Sequence, residues 1–498
     1  MKLPLVLLLT AIVIASGDDY HPVRAIKSNR ADIAEKDPKY WAKEAQDAID
    51  QRRARKEPKG KARNVVMFLG DGLSVPTLAA ARTLLGQRKG ATGEEAELAF
   101  ESFPAVGLAK TYCVDSQIPD SACTATAFLC GAKANTGTIG VSAAVSRGDC
   151  EASADEATHI ESIAEWALAD GRDVGIVTTA RVTHASPAGA FAKVADRNWE
   201  TDLRVKVSGQ DVNRCPDIAQ QLIHSHPGNK FKVILGGGRQ SFLPVTTIDE
   251  ERSFGSRLDR RNLIQEWQAD KVSRNLTHRY IWHREQLRNI VEESPEYLLG
   301  LFESSHMQYH SDADPVSEPK LAELTQTAIK LLSRNEKGFF LFVESGRIDH
   351  AHHSNNVERA LDETIALSDA VERANELLPE QDSLIVVTAD HSHVMSFSGY
   401  SDRGTDILGP SGDTDLFGVP YMTLSYANGP GYRRQTLGRR PDVTKDKDYR
   451  TPGWRTHADS PRIVELRLME EMTWLFSPED LITPCSVVYM SRVSFPTS

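Results

Sequence analysis

The chain has 498 residues, 40% hydrophobic and 26% charged, with 58 Lys and Arg against 69 Asp and Glu and a net charge of −11. This is the balance of a folded globular protein and excludes a disordered chain. The acidic excess, with no long Lys/Arg run, argues against nucleic-acid binding, and no repeat recurs at a period of about 20–50 residues.

Residues Met1 to Gly17 read MKLPLVLLLTAIVIASG: an early Lys, an apolar run from Leu3 to Ile14, then small residues. That order predicts a secretory signal peptide, cleaved after Ser16 or Gly17. The run is too short to cross about 30 Å of hydrocarbon, so the mature chain is expected to be soluble and extracellular. Residues 18–62 are charged and helix-prone, and are expected to form an N-terminal arm against the body or a partner subunit. Secretion permits disulfides. Cysteines stand at 113, 123, 130, 150, 215 and 485, and their spacing alone leaves every pairing open. Cys130, in the apolar stretch TAFLCGA, is expected to be a buried free thiol. Asn275, in Asn-Leu-Thr, is the one N-glycosylation sequon.

From residue 63 onward, short apolar runs alternate with helical stretches. The runs are Asn64–Leu69, Asp173–Thr178, Phe231–Leu235, Phe339–Val343 and Ser383–Thr388. The alternation predicts an α/β fold with a doubly wound, mostly parallel central sheet flanked by helices, plus the N-terminal arm and a small inserted surface subdomain. In such sheets ligands bind beyond the carboxyl ends of the strands. Here Asp71 follows the first run, and His184, Ser186 and Arg197 follow the second. Glu344, Asp349, His350, His352 and His353 follow the fourth, and Asp390, His391 and His393 follow the fifth. Acidic and imidazole groups gathered at one edge repel or titrate unless cations sit among them. Asp349 and His353, at i and i+4, share a helical face and can grip one ion. Carboxylate and imidazole together suit zinc; Asp71, Glu344 and a hydroxyl suit magnesium.

Residues 119–135 read PDSACTATAFLCGAKAN, which places Ser121 at the start of a predicted helix, where backbone N–H groups favour an anion. Asp120 beside it is a candidate N-cap. A serine among dications is deprotonated without a histidine base, and the absence of a Gly-x-Ser-x-Gly elbow argues against an ordinary serine hydrolase.

FLGDG around Asp71, PDSACTATA around Ser121, HASPAG with RNW after it, VESGRIDHAHH and TADHSHV together resemble the metazoan alkaline phosphatase family, from about Tyr40 to Arg450. The resemblance implies a secreted hydrolase of phosphate monoesters with two Zn²⁺ and one Mg²⁺. One zinc would take Asp349 and His353. The other would take Asp71, Asp390, His391 and the Ser121 oxygen. Magnesium would take Asp71, Ser186 and Glu344. Arg197 matches the phosphate clamp, and His184 and His350 match imidazoles beside the metals. Ser121 would attack the ester to give a phosphoserine that water hydrolyses. The likeness also implies a Cys150–Cys215 disulfide, a homodimer, and a calcium site of Glu251, the Phe302 carbonyl, Glu303 and Glu318; Cys113 and Cys123 could form a second bond, although many members lack cysteine there.

The likeness lapses near the C-terminus. The family completes its first zinc site with a distal His in a motif resembling E-T-H-[AG]-G-[ED]-D-V. Thr456-His457-Ala458 matches superficially, but Asp459-Ser460-Pro461 does not continue it. Back-translating Arg467 to Leu481 and reading each codon one nucleotide early permits E-T-H-G-G-D-D-V-A-V-F-A-R-G-P, starting on the last base of the Leu466 codon. The unique codons of Met469, Met472 and Trp474 make coincidence a poor explanation. Residues from a point between Thr451 and Arg467 onward are therefore expected to be out of frame with the family, which would also remove the hydrophobic tail that signals a glycolipid anchor in many relatives. Two alternatives follow from the residues. One is a catalytically impaired, secreted binding protein lacking its last zinc ligand. The other is a sulfatase or phosphodiesterase of related fold, although the C/S-x-P-x-R motif of sulfatases is absent around Ser121.

Overall fold

The computed structural model describes residues 34–54, 61–415, 418–426, 482–483 and 485–490. The expected signal peptide and His457 lie outside the described residues. Eight strands of the central sheet are β1 (Asn64–Gly70), β2 (Ala105–Lys110), β3 (Asp173–Arg181), β4 (Val233–Gly237), β5 (His278–Ile281), β6 (Tyr297–Leu301), β7 (Phe339–Ser345) and β8 (Ser383–Ala389). With the strand Cys485–Met490 they form a nine-stranded sheet in the order β2, Cys485–Met490, β8, β1, β7, β3, β4, β6, β5. From β8 to β5 every neighbouring pair is parallel. Cys485–Met490 runs antiparallel to both β8 and β2. It falls in the stretch read as out of frame, and as written it still supplies a strand.

All five expected strands form. Sequence reading missed β2, β5, β6 and Cys485–Met490. The run of β6, YLLGL, is broken by Gly300, where a Cβ would meet a Leu235 methyl at 2.6 Å, so the residue that lets β4 and β6 approach also dilutes the apolar signal. At the sheet edge, β5 (HRYI) has one side open and needs little hydrophobicity.

Side chains of successive strand residues enter opposite faces. In β7, Phe339, Leu341 and Val343 join the core beneath the helices Val75–Arg88, Leu321–Leu332 and Val357–Leu377. Phe340 and Phe342 join the opposite core, with Trp199, Trp267 and the helices Ser121–Cys130 and Ile218–His224. Both faces are thus covered, as a buried parallel sheet requires. The arm appears as an exposed helix, Pro38–Ala54, and Arg403 reaches Glu35 just before it. Residues after β8 form two small antiparallel pairs, Met395–Phe397 with Leu424–Tyr426 and Pro410–Thr414 with Pro420–Met422. Cys150–Cys215 and Cys113–Cys123 are both disulfides, and Cys130 is free and buried.

Candidate active site

Strands β8, β1, β7 and β3 are neighbours with matched registers: Gly70 lies opposite both Ser345 and Ala389, and Glu344 lies opposite Leu69 and Thr178. Their carboxyl ends therefore open at one place. Asp71 follows β1. Glu344 is in the last turn of β7, and the helix Arg347–His353 after it carries Asp349 and His353 on one face. Asp390 and His391 follow β8, and Ser186 lies on the short helix Ala185–Ala188 beyond β3. Gly72 has φ +70, and a Cβ there would sit 2.6 Å from the His393 ring, so only glycine fits.

Asp120 caps the helix Ser121–Cys130, accepting from the N–H groups of Ala122 and Cys123, each at 3.3 Å. This places the Ser121 hydroxyl 3.3 Å from Asp71 Oδ1 and 3.2 Å from His391 Nε2. His391 Nε2 also lies 3.4 Å from Asp71 and 3.2 Å from Asp390. His353 Nε2 and His393 Nε2 approach Asp349 Oδ1 at 3.3 and 2.7 Å. On the third side, the Ser186 hydroxyl donates to Asp71 Oδ2 at 3.5 Å, and Thr178 donates to Glu344. Arg197 donates to Asp120 at 2.9 Å. Possible ligand atoms converge within 4.8 Å in three groups: Asp71, Asp390 and His391; Asp349, His391 and His393; and Asp71, His184 and Glu344. Shared Asp71 and His391 link them into one cluster.

Burial and the charges of Asp390, Asp349 and Glu344 push the Asp71 carboxyl well above the usual range. Burial also lifts Glu344 to about 7. Burial works against Asp349 too, but His353 and His393 beside it hold that carboxyl well below the usual range. Glu344 Oε1 and His391 Nδ1 are buried without a hydrogen-bond partner. Crowded, buried acids with unused lone pairs are the donor set of a multi-cation site. The residues fit divalent metals.

Sequence reading missed His306 and His393's bond to Asp349. His306 follows β6, whose end went unread because the strand did. His352 is buried between Thr77 Oγ1 (3.0 Å) and the Tyr426 hydroxyl (2.7 Å). Of the calcium candidates, Glu303 and Glu318 both bond Gln308, through its side chain and backbone N–H at 2.7 Å each. Burial and the Glu303 charge lift Glu318 to about 8. Arg239 already pairs with Glu251 at 3.0 Å, and Phe302 is buried. Asn275 is exposed, as a glycosylation site must be.

This sheet, with buried acids and imidazoles around a serine at its rim, defines a metal-using α/β hydrolase. The sequence profile of the alkaline phosphatase family matches residues 62–467. A membrane-bound alkaline phosphatase of Bombyx mori is 59% identical over 481 residues, covering 93% of this chain and 88% of that protein. The human tissue-nonspecific isozyme is 44% identical over 408 residues, covering 80% and 76%. The alkaline phosphatase of Thermus thermophilus has a similar fold, with a TM-score of 0.59 at 22% identity over 89% of each chain. A TAB5 alkaline phosphatase mutant, solved with magnesium in its M3 site, matches with a TM-score of 0.54 at 18% identity, covering 87% of this chain and 91% of that one. The chain belongs to the metazoan alkaline phosphatase family and is a phosphate monoester hydrolase that uses metal cofactors. The comparisons do not favour the non-catalytic alternative. No helix of the described residues is long and apolar enough to cross a membrane.

Proposed function

We propose that Ser121 is the nucleophile of a two-step phosphoryl transfer in an extracellular enzyme that holds two Zn²⁺ and one Mg²⁺. The observation that carries this is the position of the Ser121 hydroxyl, within 3.3 Å of both Asp71 and His391 and at a helix start. Asp349 and His353 would hold one zinc, Asp71, Asp390 and His391 the other, and Asp71, Ser186 and Glu344 the magnesium. Bound there, the cations would ease loss of the serine proton, stabilise the departing alkoxide and activate water. Ser121 forms an O–P bond as the ester oxygen leaves with its electron pair, and water then cleaves the phosphoserine and restores the hydroxyl. Arg197, held in plane by Asp120, offers two N–H groups to the equatorial phosphoryl oxygens. His393 positions Asp349 through its 2.7 Å contact.

The leader at residues 1–17 supports secretion, and the exposed sequon supports glycosylation at Asn275. Family membership supports a homodimer, and the raised Glu318 beside Glu303 supports a calcium site with Glu251 and the Phe302 carbonyl. The family match stops at residue 467, which supports a frame change between Thr451 and Arg467 and a distal His encoded across the Leu468 and Met469 codons. In that reading His457 is not a ligand and Cys485 has no family role, and a glycolipid anchor follows only if the true C-terminus carries its signal.

Acid quench of the enzyme with labelled substrate tests the nucleophile: label is expected on Ser121 and absent from Ser121→Ala, and turnover of p-nitrophenyl phosphate by Ser121→Ala at the wild-type rate would refute it. Resequencing the transcript across residues 451–481 tests the frame.

A further inference from the structure

Beside the clamp, three imidazoles converge: one ring nitrogen each of His184, His306 and His350 lies within 4.8 Å of the others. Ring centroids are 5.2 Å apart for His184–His306, 5.3 Å for His184–His350 and 4.3 Å for His306–His350. Each of the three residues keeps part of its surface exposed. Such a trio reads at first as a metal site, but the hydrogen bonding around it points the other way. A neutral imidazole has one acceptor nitrogen and one N–H. Each acceptor here is already taken by an arginine. The Arg197 guanidinium faces His184 Nε2 at 3.4 Å. Arg347 Nη1 faces His350 Nδ1 at 3.1 Å, and the Arg181 backbone N–H donates to His306 Nδ1 at 3.2 Å. With those nitrogens accepting, the opposite nitrogen of each ring carries the hydrogen, so the three rings do not jointly ligate one cation.

Two of these N–H groups meet no acceptor. His184 Nδ1 is buried with no partner. His306 Nε2 meets a second donor, Arg181 Nη1, a contact that an oxygen shared between them would satisfy. The charge balance agrees. Arg181 pairs with Glu200 and Arg197 with Asp120. Arg347 has no carboxylate partner among the described residues; it lies over Tyr309 at 3.8 Å, and its Nε is buried without a hydrogen bond.

We propose that His184, His306 and His350, with Arg347 behind them, form an oxyanion subsite that holds a second phosphoryl group of the substrate. Resting on the reading of Arg197 as the clamp, it makes the enzyme favour esters carrying another phosphate next to the scissile one. His306 is the selective element, because it touches neither the proposed metal ligands nor the clamp.

The test compares ADP with p-nitrophenyl phosphate on the full-length, metal-loaded enzyme. His306→Ala is expected to lower kcat/KM for ADP about tenfold through KM, the loss of one hydrogen bond to a charged group, and to leave p-nitrophenyl phosphate within about twofold. His306→Gln, whose amide keeps an N–H, is expected to recover part of the ADP preference. Equal losses on both substrates, or none on either, overturn the subsite. So does the disappearance of a bound metal equivalent from His306→Ala in elemental analysis, which would make the trio a cation site. If the wild type hydrolyses p-nitrophenyl phosphate and the ratio alone fails to move, only the subsite falls. If the wild type hydrolyses neither compound, the Ser121 reading fails and the subsite falls with it.

Discussion

Two sets of buried acids in this molecule have opposite fates. Asp202 and Asp217 flank Arg257, whose guanidinium is fully buried and reaches Asp217 at 2.8 Å and the exposed Asp259 as well, while the equally buried Arg239 takes Asp249 at 2.8 Å. At the rim, Asp71, Glu344, Asp349 and Asp390 are just as buried, yet among the described residues no guanidinium is bonded to any of them. A buried carboxylate that carries its own cation is part of the scaffold. One without a cation is costly until something positive arrives. The fold thus supplies counter-charge where it needs permanence and withholds it where it needs a ligand.

That contrast can be broken in several ways. Ser121→Ala removes the rim's purpose but little of its charge: kcat on p-nitrophenyl phosphate is expected to fall at least about 10³-fold while the unfolding midpoint barely moves. Asp217→Ala strikes the other set and leaves Arg257 short of a partner. About 3 kcal/mol of stability should go, measured by urea unfolding, equally with and without chelator. Arg197→Ala is expected to cost about 10²-fold in kcat/KM with the metal content intact.

Asp71→Asn gives the most direct comparison, because its sign should reverse. In chelated protein, calorimetry should show a Tm a few degrees higher, since a buried like-charged acid is gone; in metal-loaded protein the same change should lower Tm. A loss in both states would mean that the rim acids are ordinary scaffold.

The smallest effect concerns pH. Glu318, held up to about 8 by burial and by Glu303, binds its proton more tightly folded than unfolded. Its contribution to stability is therefore full below the unfolded value of about 4.3 and lost as pH rises toward 8. Chelated protein should melt at progressively lower temperature between about pH 5 and 8, and Glu318→Gln should flatten that slope. An unchanged slope would remove Glu318 from the calcium reading.

Much of this was legible in the sequence because chemistry and strand ends coincide. The runs that became β1, β3, β7 and β8 stop beside Asp71, His184, Glu344 and Asp390, so finding the strands also found the site. Where the strand was unreadable, so was its end: β6 is short and interrupted by Gly300, and His306 beyond it went unnoticed. The i, i+4 spacing revealed Asp349 and His353 as a pair, but no spacing links His393 to Asp349, 44 positions away. His352 shows the limit of reading by residue type, since only tertiary packing sets it between Thr77 and Tyr426 rather than at the rim.

The Gly72 amide reaches Asp390 across 318 positions of sequence. At roughly 5–20 residues per second of synthesis, the first half of the metal cradle waits between about fifteen seconds and a minute for the second. Until β7 is made, for most of that interval, β1, central in the finished sheet, has neither lateral neighbour, and its bare edges are open to mispairing. Pairing with β7 closes one of those edges, and the arrival of β8 closes the other and completes the cradle.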